Sequence, residues 1–323
     1  IDSDYYLSFE EKSLIDRAAK AFKKTIIVLN SGAVVDCEHF ADNDKVRGIL
    51  FGWQGGLEGG AAVADILCGD VCPSGKLADT IPVSYYSYQN AEEFLTGFEH
   101  LDYYDDIYVG YRYFETVLGA AERVRYPFGF GLSYTDFELG GVLCGEADGK
   151  IVVSVNVKNI GSVPGKETVQ LYYSAPQGVL GKPAKELAAF AKTHLLNPGE
   201  SETLALSFDI ADMASFDDLG KVKKAAYVLE PGKYSFYLGN SVRNVEKLDY
   251  EYTVEDDIIA RQASGLLRPF KLGKRMVADG SFEPLPMGEP NYPVGEAAAI
   301  EASAPEQTVM FDDVGEKISL DEF

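Results

Sequence analysis

The sequence has no apolar run of about 18 residues, so a membrane span is not predicted. The first residues, Ile1 to Asp4, contain neither a basic region nor an apolar core, and we expect no signal peptide here. Basic residues are scarce, 29 against 51 acidic ones, which gives a formal net charge of −22. A polyanion is repelled by DNA and RNA, so we expect no nucleic-acid partner. The charge indicates solubility rather than a specific ligand.

Cysteine is also scarce, with Cys37, Cys68, Cys72 and Cys144 in 323 residues. Four thiols are too few for a disulfide scaffold in a chain of this length. Cys68 and Cys72 are too far apart in sequence for a redox pair, and no nearby histidine completes a zinc site. We therefore expect free thiols, a reducing, cytoplasmic compartment and no zinc site.

The length predicts two domains, and the first has the alternating pattern of an α/β fold. Ser8 and Glu11 fit a capping box at the start of an amphipathic helix over 9–24. Residues 25–30 form a β-branched run typical of a strand buried on both faces, and 47–52 resemble it. A helix is predicted over 59–67. These elements favour a parallel sheet.

The alternation of predicted strands and helices ends after Thr80. Residues 84–137 are rich in aromatics and predict a long, mostly irregular segment. From 138 onward, apolar and polar residues alternate in short runs between turns, which predicts an antiparallel β-sandwich of about 115 residues. Strands are predicted at 150–158, 168–174, 202–208 and 233–238.

The last part of the chain, 256–323, predicts a tail. Its first residues, 256–270, have modest helical character, and 276–307 have the Pro, Gly, Ala and Glu content of a linker. Residues 311–323 resemble a strand followed by the start of a helix.

Three glycine-rich clusters have both a structural and a functional interpretation. Trp53 to Gly60 lies between a predicted strand and a predicted helix, where backbone amides can bind a phosphate group. The spacing of its glycines fits no known phosphate-binding motif, so close packing of the helix on the strand is the favoured interpretation. Trp53 follows a strand, where a sugar ring could stack on it, and core packing is the alternative. Cys68 to Leu77 predicts a structural turn, and Tyr126 to Tyr134 a domain junction.

In this order, the clusters resemble the second and third domains of family 3 glycoside hydrolases of the β-glucosidase type. The resemblance covers about residues 4–254 and includes a departure at Cys72, where the family has Asn. The matching segments are Val28–Gly32, Trp53–Gly60, Gly69–Gly75, Gly110–Phe114, Tyr126–Tyr134, Lys182–Leu187 and Leu196–Glu200.

The resemblance implies a retaining mechanism, double displacement by two carboxyl groups about 5 Å apart. The family's nucleophile is an Asp followed by Trp, whereas Trp53 follows Gly52. Its acid/base Glu precedes a segment that Asp4–Ser8 resembles. We therefore assign no catalytic residue to this chain, and Trp53 is the single candidate for substrate binding. The implied substrate is a small β-glucoside or oligosaccharide, and the resemblance implies neither a metal nor an organic cofactor.

The resemblance also predicts the domain organisation. Residues 1–137 correspond to a partial α/β sandwich domain, 138–254 to a fibronectin type III-like domain, and 255–323 to a tail leading to a missing barrel domain, as in members with permuted domain order. The barrel would act in cis or in trans, and a homo-oligomer is an open possibility. The alternative function is a non-catalytic scaffold that completes a partner carrying the barrel. Independent carbohydrate binding by the sandwich is less favoured.

Overall fold

The computed structural model describes residues 5–92, 101–264 and 272–286. These residues form an α/β layer, an aromatic-rich connecting region and an antiparallel β-sandwich, which confirms the predicted fold class. None of the helices they form is both long enough and apolar enough to cross a membrane. The predictions made for residues 1–4, for most of the linker and for 311–323 lie outside the described residues.

The α/β layer begins at the predicted capping box. The amide of Glu11 donates to Ser8 Oγ at 3.2 Å, and the amide of Ser8 donates to Glu11 Oε2 at 2.8 Å. Both orphan amides of the first turn are thereby satisfied. The two strands pair in parallel, with Ile27 opposite Ile49. The elements of the layer are α1 (Phe9–Ala21), β1 (Thr25–Leu29), α2 (Glu38–Ala41), β2 (Val46–Phe51) and α3 (Gly59–Cys68).

The prediction that the first strand is buried on both faces is wrong. One face of the sheet packs into a core around Phe40 and Ile81, and Ile27 belongs to that face. On the other face Ile26 is 50% exposed and Val28 39% exposed. Helix α3, although mainly apolar, has no buried residue. Parallel sheets are normally covered on both faces, so this layer presents an uncovered apolar side within the described residues.

The connecting region is largely irregular, as predicted. A small core lies around Tyr108, Tyr113, Phe114 and Ala120, and Met276 from far along the chain joins it. The regular elements of this region are β3 (Ile81–Pro82), α4 (Tyr111–Phe114) and β4 (Val124–Tyr126), and β3 pairs antiparallel with β4.

The sandwich packs two antiparallel sheets face to face. One sheet has the order β13-β12-β7-β8 and the other β5-β6-β9. Inward side chains such as Val155, Leu171 and Phe236 are fully buried between the sheets, and alternation along the strands places them there. The strands are β5 (Phe137–Ala147), β6 (Lys150–Asn159), β7 (Thr168–Ser174), β8 (Glu186–Lys192), β9 (Ser201–Asp209), β10 (Ser215–Asp217), β11 (Ala226–Leu229), β12 (Gly232–Gly239) and β13 (Val245–Val254).

The segment after the sandwich corrects two predictions. Residues predicted to be helical instead form β14 (Ile258–Gln262), which pairs with β11 in the three-stranded sheet β10-β11-β14. The predicted linker begins within a hairpin of β15 (Lys274–Met276) and β16 (Phe282–Pro284). Met276 is only 4% exposed, because its side chain completes the core of the connecting region. Backbone pairing and a distant apolar contact overrode local composition at both places.

Candidate functional site

Strands β1 and β2 end side by side at the carboxyl edge of the sheet. The amide of Gly52 donates to the carbonyl of Leu29 at 2.9 Å, which joins the two strand ends. Beyond this bond the chain opens a groove of about 630 Å³ between the strand ends and the start of α3. Open α/β sheets bind ligands at this edge. The groove is lined by Val28, Asn30, Gly32, Gly52, Gln54, Gly55, Gly56, Gly59, Gly60 and Val63.

Glycine gives the groove its shape. A Cβ added to Gly55 would lie 2.8 Å from the Cα of Gly59, so this turn admits no side chain. At Gly59 and Gly60 an added Cβ would meet open space. Close packing, the favoured interpretation of this cluster, therefore explains Gly55 and leaves the other two glycines as the floor of an open groove.

The groove lining is electrically neutral. Its polar side chains are Asn30 and Gln54, and no Asp, Glu, Lys or Arg is among the lining residues. Amides donate and accept hydrogen bonds without favouring an anion or a cation. The groove therefore suits a neutral, hydroxyl-rich ligand, but it holds no carboxyl group for acid/base or nucleophilic chemistry.

Trp53 lies at the same edge in an unusual backbone conformation. Its φ is +49°, in the left-handed region that non-glycine residues rarely adopt, and such strain often accompanies functional positions. The indole is partly exposed and its centroid lies 5.8 Å from that of Phe51. Trp53 is not among the residues that line the groove. Its role in substrate binding stays a prediction.

A cluster of tyrosines was not singled out by the sequence analysis. Tyr5 makes an edge contact with Tyr85 at 5.4 Å between ring centroids, and Tyr6 lies 6.2 Å from the same ring. Tyr86, 62% exposed, extends the cluster toward solvent. The paired tyrosines at 5–6 and 85–86 were the available signal. Their contact joins positions eighty residues apart, so local pattern could not predict it.

The segment Tyr126–Tyr134 is a domain junction, as predicted. The side-chain amide of Gln170, on β7, donates to the carbonyl of Gly129 at 3.1 Å, and the amide of Val242 donates to the carbonyl of Phe128 at 3.1 Å. On the other side, the amide of Leu77 donates to the carbonyl of Phe130 at 2.8 Å. The segment is thus bonded to both the α/β layer and the sandwich.

The Cys68–Leu77 segment is a structural turn, as predicted. Gly69 ends α3 with φ +86°, and the amide of Asp70 bonds back to the carbonyl of Asp65 at 2.9 Å. Cys72 lies 3.1 Å from the hydroxyl of Ser133, which links this turn to the junction. No cluster of three or more His, Cys, Asp or Glu suited to a metal occurs among the described residues.

Comparison with known proteins gives matches along most of the described chain. Residues 2–134 match the glycosyl hydrolase family 3 C-terminal domain, and 167–242 match a fibronectin type III-like domain. Beta-glucosidase A of Butyrivibrio fibrisolvens is 51% identical in an alignment of 302 positions that covers 89% of this chain and 36% of the relative. A beta-glucosidase of Ruminococcus albus is 39% identical in an alignment of 332 positions, gaps included, that covers 99% of this chain and 34% of that protein.

A solved structure is similar as well. A beta-glucosidase from Paenibacillus barengoltzii superposes with a TM-score of 0.78 at 41% identity, over 88% of this chain and 32% of that one. This chain thus spans about a third of the length of these relatives.

Proposed function

Because the chain belongs to glycosyl hydrolase family 3, we propose that it is the non-barrel part of a retaining β-glucosidase. The parent would hydrolyse terminal β-linked glucosyl residues by double displacement, with two carboxyl groups acting about 5 Å apart. The nucleophile Asp and the acid/base Glu lie, in this proposal, outside residues 1–323. The chain would contribute one wall of the sugar site and the sandwich that supports it.

The observation that carries the proposal is the neutral groove at the carboxyl edge of β1 and β2. Its amide and backbone groups match a sugar, and the absence of carboxyl groups among its lining residues supports reacting acids that come from another part of the protein. Glycosyl transfer cannot proceed by this mechanism without them. The names of the relatives support a glucoside as the substrate class.

Within this proposal, Trp53 contacts the substrate. Its ring is partly exposed at the edge where the two strands end, and a sugar ring has an apolar face that packs on an indole. The tyrosine cluster of Tyr5, Tyr6, Tyr85 and Tyr86 is a second aromatic surface of the first domain. The first two tyrosines of this cluster, Tyr5 and Tyr6, come shortly after the position expected for the acid/base Glu.

The role of Trp53 is tested in the full-length parent enzyme. Trp53→Ala is expected to lower kcat/KM for a p-nitrophenyl β-glucoside by about tenfold or more, and Trp53→Phe to recover part of the loss, because an aromatic face remains. Phe190→Ala is the control, since this 69% exposed ring lies on the sandwich. Equal kcat/KM values for Trp53→Ala and the wild type would show that Trp53 does not contact the substrate.

The second candidate is a non-catalytic scaffold that completes a partner carrying the barrel. The uncovered face of the α/β layer favours it, because Ile26 and Val28 are exposed and no residue of α3 is fully buried. Exposed apolar surface of this kind marks contact with another protein segment. The two candidates differ in whether the barrel joins the chain covalently, and both place the catalytic acids elsewhere.

We propose a reducing, cytoplasmic compartment. All four cysteines are free thiols, and burial raises the pKa of Cys37 to about 12 and that of Cys144 to about 11, which keeps both protonated and unreactive. Alkylation of the parent under denaturing, non-reducing conditions, followed by peptide mapping, is expected to label all four of these thiols, whereas a disulfide among them would contradict the proposal.

A further inference from the structure

The hairpin of β15 and β16 contacts both the connecting region and the sandwich. On one side the amide of Met276 donates to the carbonyl of Tyr104 at 2.7 Å, and the Met276 side chain is buried in the core around Tyr108 and Phe114. The tight turn at Gly280 lies against Val117, where an added Cβ would be 2.8 Å from Cγ1. The hairpin is therefore docked on the connecting region through one buried side chain and a close backbone contact.

On its other side the hairpin meets a preformed loop of the sandwich, residues 217–223. Asp217 is buried at the end of β10, and its carboxylate accepts four backbone amides, at 2.7 to 3.0 Å. These bonds hold the pKa of Asp217 below its usual value, although burial opposes them. A carboxylate bonded in this way fixes the loop without help from the hairpin. The donors are Gly220, Lys221, Val222 and Lys223.

The loop and the hairpin carry complementary charges. Asp218 of the loop accepts from Arg275 Nη1 at 2.9 Å, and Lys221 of the loop lies 3.1 Å from Glu283 of the hairpin. Arg275 Nε also donates to Glu283 at 2.7 Å, which links the two pairs. Asp106 of the connecting region lies 3.6 Å from Arg275. Arg275, 13% exposed, therefore contacts carboxylates from three separate parts of the chain.

The hairpin cannot be stable by itself. Each of its strands has three residues, and isolated two-stranded hairpins are marginal in water even when longer. Its order must come from Met276 and from the charged contacts. A small unit held by a few contacts at its edge opens at a lower free energy than the whole domain.

We propose that the hairpin of β15 and β16 is an ionic latch, closed by Arg275, that opens as one unit while the sandwich stays folded. Opening uncovers the buried core around Tyr108 and widens a cavity of about 300 Å³ between the hairpin and the loop 177–181. The latch also fixes the point from which the chain continues past residue 286.

Native-state hydrogen exchange, followed by mass spectrometry or NMR on the whole chain, tests the latch. Arg275→Met removes the charge and keeps much of the stem. The amides of Met276, Val277 and Leu285 are expected to exchange at least about tenfold faster, equivalent to about 1.4 kcal/mol. These amides are hydrogen bonded to Tyr104, Ser281 and Gly273 in the closed state. The amide of Val155 in the sandwich is expected to be unchanged, which also verifies that the variant is folded.

A matched control separates the latch from general electrostatics. Lys221→Ala removes a charge of the latch, whereas Lys150→Ala removes one from an exposed pair with Asp209 at the far end of β6. Of these two variants, only Lys221→Ala is expected to accelerate amide exchange in the hairpin. In the wild-type protein, 1 M salt is expected to accelerate the same amides, because it screens the charged contacts. Hairpin exchange that is unchanged in Arg275→Met, or that accelerates only together with Val155, would overturn the latch.

Discussion

Lys76 Nζ lies 2.8 Å from Glu167 Oε1, and both side chains are almost completely buried at the junction of the α/β layer and the sandwich. Glu167 also accepts from the amide of Thr168 at 2.7 Å and from the side chain of Asn240 at 3.1 Å. Lys76 donates to the carbonyl of Gly131 at 3.2 Å. The pair is thus the centre of a hydrogen-bonded network that fixes one domain on the other.

Removing the negative charge of this pair is expected to be costly. Glu167→Gln leaves Lys76 buried without its counter-charge, and the free energy of unfolding should fall by about 3 kcal/mol. Urea unfolding followed by circular dichroism measures the change. Asp209→Asn is the control, because its exposed pair with Lys150 contributes less than about 1 kcal/mol. Equal effects of the two variants would contradict the central position of Lys76 and Glu167.

Two glycines with almost the same φ separate backbone strain from packing. Gly129 has φ +78° and an added Cβ would meet Gln170 Oε1, whereas Gly119 has φ +77° and open space around it. Gly119→Ala is expected to cost about 1 kcal/mol from the left-handed conformation alone. Gly129→Ala should cost clearly more, because Gln170 must also move and loosen the junction. Thermal unfolding of both variants measures the stability that each one loses. Equal losses would show that Gln170 moves away from the added Cβ at little cost.

Replacement of Asp106 is expected to stabilise the protein. Burial raises the pKa of its carboxyl, despite the opposing charge of Arg275, and its φ of +53° favours Asn. A raised pKa means that the native state binds the proton more readily than the unfolded state. The carboxylate therefore costs stability above that folded-state pKa, and the cost shrinks as pH falls through it and is gone below the ordinary value of 3.8.

Asp106→Asn keeps an oxygen that can accept from Arg275, and it should raise Tm at neutral pH by about 2 °C. The gain should shrink on acidification, when the wild-type carboxyl becomes neutral. Calorimetric scans of both proteins at neutral and acidic pH test this. A lower Tm for the variant at neutral pH would show that the ion pair outweighs the cost of burial.

His194 gives a pH dependence of the same sign in a higher pH range. Glu200 and Glu202 contact its ring at 3.3 and 2.6 Å, and their hydrogen bonds raise the pKa of the imidazole above 6.5. Its contribution to stability is therefore fully present below pH 6.5 and is lost as pH rises through the folded-state pKa. NMR titration should place the pKa above 6.5 and Glu200→Gln should lower it. Titration of wild-type His194 at or below 6.5 would contradict the assignment.

Local pattern was sufficient to predict much of the fold. The capping box at Ser8 and Glu11 predicted the start of α1, and the alternation of apolar and polar residues along 150–158 predicted β6. Both signals depend only on neighbouring residues. The junction at 126–134 was predictable from its glycines and aromatics. These features needed no knowledge of distant contacts.

Features set by distant contacts were not predictable. Strand β14 forms because Val228 and Leu229 offer a free edge to Ile258 and Ile259, a pairing that overrides their modest helical pattern. Met276 lies in a Pro- and Gly-rich stretch typical of linkers, yet its partner core is about 160 residues earlier in sequence. In the candidate site, Trp53 could be named from its position after a strand. That Asn30 and Gln54 line the same groove depends on the parallel pairing of β1 with β2, which local pattern alone does not set.

Hydrolysis of a p-nitrophenyl β-glucoside tests the central claim most directly. The assay compares residues 1–323 alone with the same chain mixed with the rest of the parent, which supplies the barrel and the expected acid/base segment. The account predicts no hydrolysis above background by the chain alone and glucoside hydrolysis in the mixture, because the proposed function places the carboxyl pair outside this chain. Turnover by the purified chain alone would contradict it, since the nucleophile and the acid would then have to be among these 323 residues.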